Sequence, residues 1–297
     1  MKHFLDIAQL SPDELHALIK RAMYFKNNVT YPQYPQCSVV NMFYENSTRT
    51  RVSFELAAKK LAMTVINLEA QSSSESKGEA IEDTIKTLSA MGIGVFIIRH
   101  VEERLPEALA LIDEDIHIVN AGDGTHAHPS QALLDFMTIM EMKPNLRQLK
   151  MAIVGNIRHS RVANSLQSLC AKFGVRDLTL IAPDIWQPET IHFGRVTASL
   201  KEGLLDADVV VCLRVQRERL LANEHLDLER YRRDYALTKH SLGYAKNNAM
   251  VLHPGPINRG VEIDSDVADG SQSYILQQVH NGVFIRMAIL EALLTSS

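Results

Sequence analysis

The segment Phe43 to Glu55 gathers Glu45, Ser47, Thr48, Arg49, Thr50 and Arg51 directly behind an apolar run, Val39 to Phe43, of strand character. A strand-to-helix turn presents unpaired backbone N–H groups and the positive end of a helix, so Ser47, Thr48, Arg49 and Thr50 predict a phosphate cradle without a glycine-rich loop. A Ser–Thr pair alone at such a place is ordinarily a helix cap. Two arginines among three hydroxyls point instead to an anion. Arg99 ends another apolar run, at the edge where open parallel sheets bind ligands. Taken alone it fits a surface ion pair equally well. His128 and Gln131 open a further helix one turn apart, within His128-Pro129-Ser130-Gln131. An imidazole donor suits a carbonyl oxygen there, and a carboxamide suits an amide NH₂. A single histidine at a helix start is usually a cap, so the case rests on the set.

These side chains need a scaffold, and the sequence describes one. Ser11, Pro12, Asp13 and Glu14 form a capping-box signature, which predicts a helix toward Phe25. Val39 to Phe43, Thr64 to Leu68, Val95 to Ile98 and Ile116 to Val119 are short apolar runs separated by helical periodicity. The pattern restarts after Lys143 with Met151 to Val154, Leu178 to Ile181, Val209 to Leu213 and Met250 to Leu252. Short buried strands alternating with helices predict an α/β fold of two successive doubly wound parallel-sheet domains. The expected division is 1–143 and 144–282, with a C-terminal helix over 283–297 packing back on the first domain. A chain of 297 residues agrees with two cores of roughly 150 residues each.

Composition narrows the function. Hydrophobic residues make up 46% and charged residues 22%, an ordinary folded composition. The formal net charge of −4 offers no general attraction for nucleic acid or anionic membranes, so an anionic substrate must be held by a local cluster of cations. Cys37, Cys170 and Cys212 are widely spaced and read as reduced thiols of a cytoplasmic protein. No apolar run reaches a membrane span. After the strand ending near Gly155 comes Asn156-Ile157-Arg158, without the glycine fingerprint of a nucleotide-binding oxidoreductase.

The Ser47-Thr48-Arg49-Thr50-Arg51 run, His128-Pro129-Ser130-Gln131 followed by Ala132 to Asp135, and His253-Pro254-Gly255-Pro256 resemble, in order and spacing, the aspartate/ornithine carbamoyltransferase family over nearly the whole chain. Within it, Ser72 to Glu79 and Leu213-Arg214-Val215-Gln216 look like the aspartate-specific elements. The resemblance implies transfer of the carbamoyl group of carbamoyl phosphate to L-aspartate, in pyrimidine biosynthesis, with the site in the cleft between the domains and with no cofactor and no metal.

It further implies that Ser47, Thr48, Arg49, Thr50 and Arg99 hold the phosphate, with Lys77 adding charge. Thr50, Arg99 and His128 would meet the carbonyl oxygen, while Gln131 and the turn at Gly255 and Pro256 orient the carbamoyl NH₂. Lys77, Arg161, Arg214 and Gln216 would bind aspartate, whose two carboxylates require several cations. Glu45 is similar to the glutamate that ties second-domain arginines to the first domain on closure. Ser73 and Lys77 would act in a neighbour's site within a homotrimer, standing alone or in a larger assembly with regulatory chains or a dihydroorotase. Gly255 stands where some relatives have leucine, and Asn156 where aspartate is common. The alternatives are a carbamoyltransferase for ornithine or another amine, and a non-catalytic assembly subunit.

Overall fold

The structure is a computed structural model that describes residues 1–69, 78–216 and 227–295. It divides into two compact units, Met1–Met137 with Val279–Ser297, and Thr138–Gln278.

The first unit begins with α1 (Pro12–Asn27), which starts where its chemistry dictates. Ser11 accepts from the Glu14 N–H, Glu14 reaches back to the Ser11 N–H, and Pro12 occupies the first turn. Leu15, Leu18, Ile19, Ala22 and Phe25 form its buried stripe. Strands β1 (Ser38–Phe43), β2 (Thr64–Glu69), β3 (Val95–His100) and β4 (His117–Asp123) pair in parallel in the order β2-β1-β3-β4. Helices α2 (Thr48–Lys60), α3 (Ile81–Ala90) and α4 (Leu105–Leu109) connect them, and α5 (Pro129–Met142) follows β4. The core beneath the sheet joins Val40, Met42, Phe96, Ile98 and Ile118 to Ile85 of α3.

In the second unit, β5 (Lys150–Val154), β6 (Asp177–Ile181), β7 (Arg195–Thr197), β8 (Val209–Cys212) and β9 (Met250–Leu252) form a parallel sheet ordered β7-β6-β5-β8-β9. Helices α6 (Arg161–Phe173), α7 (Leu200–Leu204), α8 (Leu228–Tyr235), α9 (Lys239–Leu242) and α10 (Ser265–Ala268) surround it. Strand β7 was not expected. It is a three-residue edge strand, half-exposed, without an apolar run to announce it. Helix α11 (Ile275–Leu294) begins eight residues before the expected 283. Its Glu291 carboxylate takes a forked pair of hydrogen bonds from Arg21 of α1, at 2.5 and 2.7 Å, with the Tyr34 hydroxyl donating at 3.1 Å.

Both sheets change direction between their first two placed neighbours. Chain order runs outward from β1 to β2, then resumes at β3 on the other side; likewise from β5 through β6 to β7, then to β8. Each unit therefore has a switch point, between β1 and β3 and between β5 and β8. The crevice at the carboxyl ends of those strands is where such sheets bind ligands.

Candidate functional site

The start of α2 and Arg99 lie at the carboxyl ends of β1 and β3, which flank the switch point of the first unit, whereas His128 and Gln131 follow the neighbouring β4. Ser47 is the N-cap residue of α2, with extended backbone (φ −156°, ψ 90°), yet its hydroxyl makes no capping hydrogen bond. Intrahelical bonding begins only with the Arg51 N–H, which donates to Ser47 O at 3.1 Å. The amides of the first turn therefore lack the acceptor that a cap would supply, with the helix dipole behind them. Thr50 is buried, whereas Thr48 and Arg49 are exposed. Surrounding protein still desolvates the Arg49 guanidinium enough to lower its pKa from the ordinary value.

Across the switch point, Arg99 stands in register with Phe43, the last residue of β1. Its Nε lies 3.3 Å from Glu45 Oε2, and a guanidinium nitrogen donates to Ala121 O at 3.3 Å. In this unit Glu45 is thus a partner of Arg99. His128 and Gln131 are buried at the start of α5, and the Gln131 N–H donates to His128 O. The Gln131 carboxamide donates through Nε2 to Asp135 at 2.8 Å, which leaves Oε1 as its acceptor.

Sequence reasoning missed two residues behind this set. Asp135 is fully buried, and Arg286 of α11 is 3% exposed. The Arg286 guanidinium lies 4.9 Å from the centre of the Phe54 ring and donates to Gly282 O at 3.2 Å and Ser130 Oγ at 3.4 Å. Burial pushes its pKa down to about 9, against the opposing field of Asp135. An arginine inside the otherwise apolar stretch Val283 to Leu290 was the available signal.

In the second unit, Arg161 opens α6 after β5 and is buried; here Ser160 does cap, accepting from the Ala163 N–H at 3.2 Å. Arg214 and Gln216 follow β8 and are half-buried. Arg161 and Arg214 therefore flank the switch point of this sheet. Gly155, at the end of β5, has φ +133°, and a Cβ there would lie 3.0 Å from Leu213 Cβ, so glycine is required beside the segment that carries Arg214. After β9, Gly255 has φ +68° and the Gly255–Pro256 peptide is cis. The Gly255 N–H donates to His253 Nδ1 at 2.8 Å. Glu262, also missed from sequence, is fully buried beside His253 and receives the Val215 N–H. Its position between Val261 and Ile263 was the signal. Ser73 and Lys77 lie outside the described residues.

Among the described residues, Asp6, Glu107 and His126 are a group that could hold a metal ion. Its members are already engaged: His126 Nδ1 bonds Asp123 at 2.8 Å, and Glu107 accepts from Gln9 and Arg104. No helix among the described residues is long and apolar enough to cross a membrane.

Two parallel α/β units, each with arginines at its switch point, match two family models in succession. These are "Aspartate/ornithine carbamoyltransferase, carbamoyl-P binding domain" over residues 2–141, and "Aspartate/ornithine carbamoyltransferase, Asp/Orn binding domain" over 147–293. The chain belongs to the aspartate/ornithine carbamoyltransferase family. It is 64% identical over 297 residues to the aspartate carbamoyltransferase catalytic subunit of Legionella pneumophila (strain Paris), covering 100% of both chains. The aspartate transcarbamoylase of Trypanosoma cruzi, solved with carbamoyl aspartate and phosphate, superimposes with a TM-score of 0.88 at 28% identity, over 97% of this chain and 94% of that one. The ornithine carbamoyltransferase of Pyrococcus furiosus gives the same TM-score at 25% identity, over 100% and 98%. Backbone shape therefore does not separate the two amines; residues must.

Proposed function

We propose that this chain transfers the carbamoyl group of carbamoyl phosphate to the amine of L-aspartate, giving N-carbamoyl-L-aspartate and phosphate in pyrimidine biosynthesis. The observation that carries the reading is the 64% identity, over the full length of both chains, to a catalytic subunit of that name. The charge of the second unit supports it: Arg161 and Arg214 flank its switch point, as two substrate carboxylates would need and a cationic ornithine side chain would not.

In this reading the phosphate of carbamoyl phosphate sits on the uncapped start of α2, held by Ser47, Thr48, Arg49, Thr50 and Arg99. The carbonyl oxygen takes hydrogen bonds from Thr50, Arg99 and His128. Attack of the aspartate nitrogen on the carbonyl carbon builds negative charge on that oxygen, and fixed donors stabilise it more than the ground state, by roughly 2.7 to 4 kcal/mol per donor. The carbamoyl NH₂ donates to Gln131 Oε1 and to the main chain of the Pro254–Gly255 turn. As the C–O bond to phosphate breaks, the leaving phosphate accepts the N–H proton that the aspartate nitrogen sheds on forming the new C–N bond, so no dedicated side-chain base is required. Arg161, Arg214 and Gln216 hold aspartate, with Lys77 adding charge.

Homotrimer formation belongs to the same proposal. Val52 and Leu56 of α2 and Ile66 of the edge strand β2 are all more than 40% exposed. Asn67 of β2 donates to Glu55 of α2 at 3.1 Å, so these apolar residues lie on adjoining elements. Exposed apolar side chains on α2 and on the edge strand fit burial against a second copy, from which Ser73 and Lys77, in the segment after β2, would reach a neighbour's site. Free cysteines, two of them fully buried, suit a reducing cytoplasm.

The test is product identity. ¹³C-labelled carbamoyl phosphate and L-aspartate incubated with the purified chain should yield the ¹³C resonance of N-carbamoyl-L-aspartate. Folded protein that forms no such product would overturn the assignment.

A further inference from the structure

Glu262 is buried to zero exposure between two segments proposed to bind different parts of the reactants. Its Oε2 accepts the Val215 N–H at 3.4 Å. Its Oε1 accepts the Asn258 N–H at 2.5 Å and lies 3.3 Å from His253 Nε2. The Asn258 side chain completes the link by donating to Val215 O at 3.2 Å. Val215 is thus held at both its N–H and its C=O, and Arg214 and Gln216 are its two neighbours in sequence.

The second arm passes through His253, whose side chain is also fully buried. Its Nδ1 accepts the Gly255 N–H at 2.8 Å. A neutral imidazole has one donor and one acceptor, so an accepting Nδ1 places the proton on Nε2, where it faces Glu262 Oε1. The carboxylate therefore selects the tautomer on which the Gly255 turn depends, as second-shell carboxylates do for other histidines.

We propose that Glu262 is a positioning residue that aligns both binding segments of the second unit. Oε2 sets the Arg214–Gln216 segment that holds aspartate; Oε1, through His253, sets the His253–Pro256 turn that orients the carbamoyl group. The proposal rests on the roles assigned above to Arg214, Gln216 and Gly255. A carboxylate serving only as core filler would gain nothing from this site, because burying its charge is unfavourable unless several donors converge on it. Here the converging donors come from the two binding segments and their flanks.

Glu262→Gln separates the arms. The amide keeps the shape but has one acceptor oxygen, which will take the Oε1 position where two donors meet. Its NH₂ then faces the Val215 N–H, so only the aspartate arm loses its acceptor. The KM for L-aspartate should rise about tenfold, as expected for one buried donor left unsatisfied, while the KM for carbamoyl phosphate stays within about twofold. Hydrogen exchange gives a readout independent of turnover: the Val215 amide should lose protection in the variant and the Gly255 amide should keep it. Equal changes in both KM values, no change in either, or loss of protection at both amides together with the rest of the second unit would overturn the proposal. A wild-type chain without aspartate-dependent turnover would instead reject the functional reading, and the exchange pattern would still decide whether Glu262 holds the two segments separately.

Discussion

Ser47 offers a direct trade between helix stability and anion binding. Its hydroxyl caps nothing in this structure, so Ser47→Asp places a better acceptor and a negative charge at an open helix start. Capping should stabilise the free protein by about 1 kcal/mol, with about 0.5 kcal/mol more from the helix dipole. For a unit of this size that raises Tm by roughly 3 to 6 °C. The same carboxylate would stand next to the bound phosphate. Two unit charges ~4 Å apart repel by ~4 kcal/mol near a protein surface, and even half of that lowers affinity by about thirtyfold. Ser47→Ala is the control: no cap is lost, so Tm should not move, while loss of one hydroxyl donor should weaken carbamoyl phosphate binding by about tenfold. Differential scanning fluorimetry of the ligand-free variants and calorimetric titration with carbamoyl phosphate measure both effects. Carbamoyl phosphate binding by Ser47→Asp within about threefold of wild type, or a Tm lowered by several degrees in Ser47→Ala, would refute an uncapped, anion-binding start of α2.

The pair His126 and Asp123 predicts a stability window. The hydrogen bond that the His126 ring donates to Asp123 raises the His126 pKa above 6.5; burial alone would raise the Asp123 pKa, but bonds from His126, Asn120 and the Arg104 N–H outweigh it and lower that value below 3.8. The histidine contribution is complete below pH 6.5 and lost as pH rises through its folded value; the aspartate contribution is complete above pH 3.8 and lost as pH falls through its folded value. The Tm difference between wild type and His126→Gln should therefore be greatest between pH 3.8 and 6.5 and shrink as pH rises through the folded His126 value, and a pH-independent difference would contradict this. Arg286→Met removes the buried cation whose field acts on Asp135. It should cost about 3 kcal/mol in denaturant unfolding, and Arg286→Met with Asp135→Asn should recover more than half of that loss.

Much of the first unit was legible because its signals are local. The capping box at Ser11 and Glu14, the apolar runs of β1 to β4 and the hydroxyl–arginine turn after Phe43 each announce themselves within a few residues. The fold class followed from the alternation of those runs with helices. What sequence did not show was pairing at a distance. Glu262 and Val215 are 47 residues apart, and Arg286 and Ser130 are 156 apart, so neither link leaves a local pattern. The spacing of Gln131 to His128 marked it as a candidate, but its bond to Asp135, which turns Nε2 away and leaves Oε1 as the acceptor, leaves no trace in sequence. Strand β7 was missed for the opposite reason: its three half-exposed residues bury too little to leave an apolar run.

The central claim is that this chain carbamoylates L-aspartate with a lysine supplied by the serine-rich segment 72–78. Phosphate release from carbamoyl phosphate, followed with L-aspartate or L-ornithine as acceptor, for wild type and Lys77→Ala, tests it most directly. Wild type should turn over with aspartate and not with ornithine, and the variant should lose the aspartate rate. Turnover with ornithine, or an undiminished rate in Lys77→Ala, would contradict it.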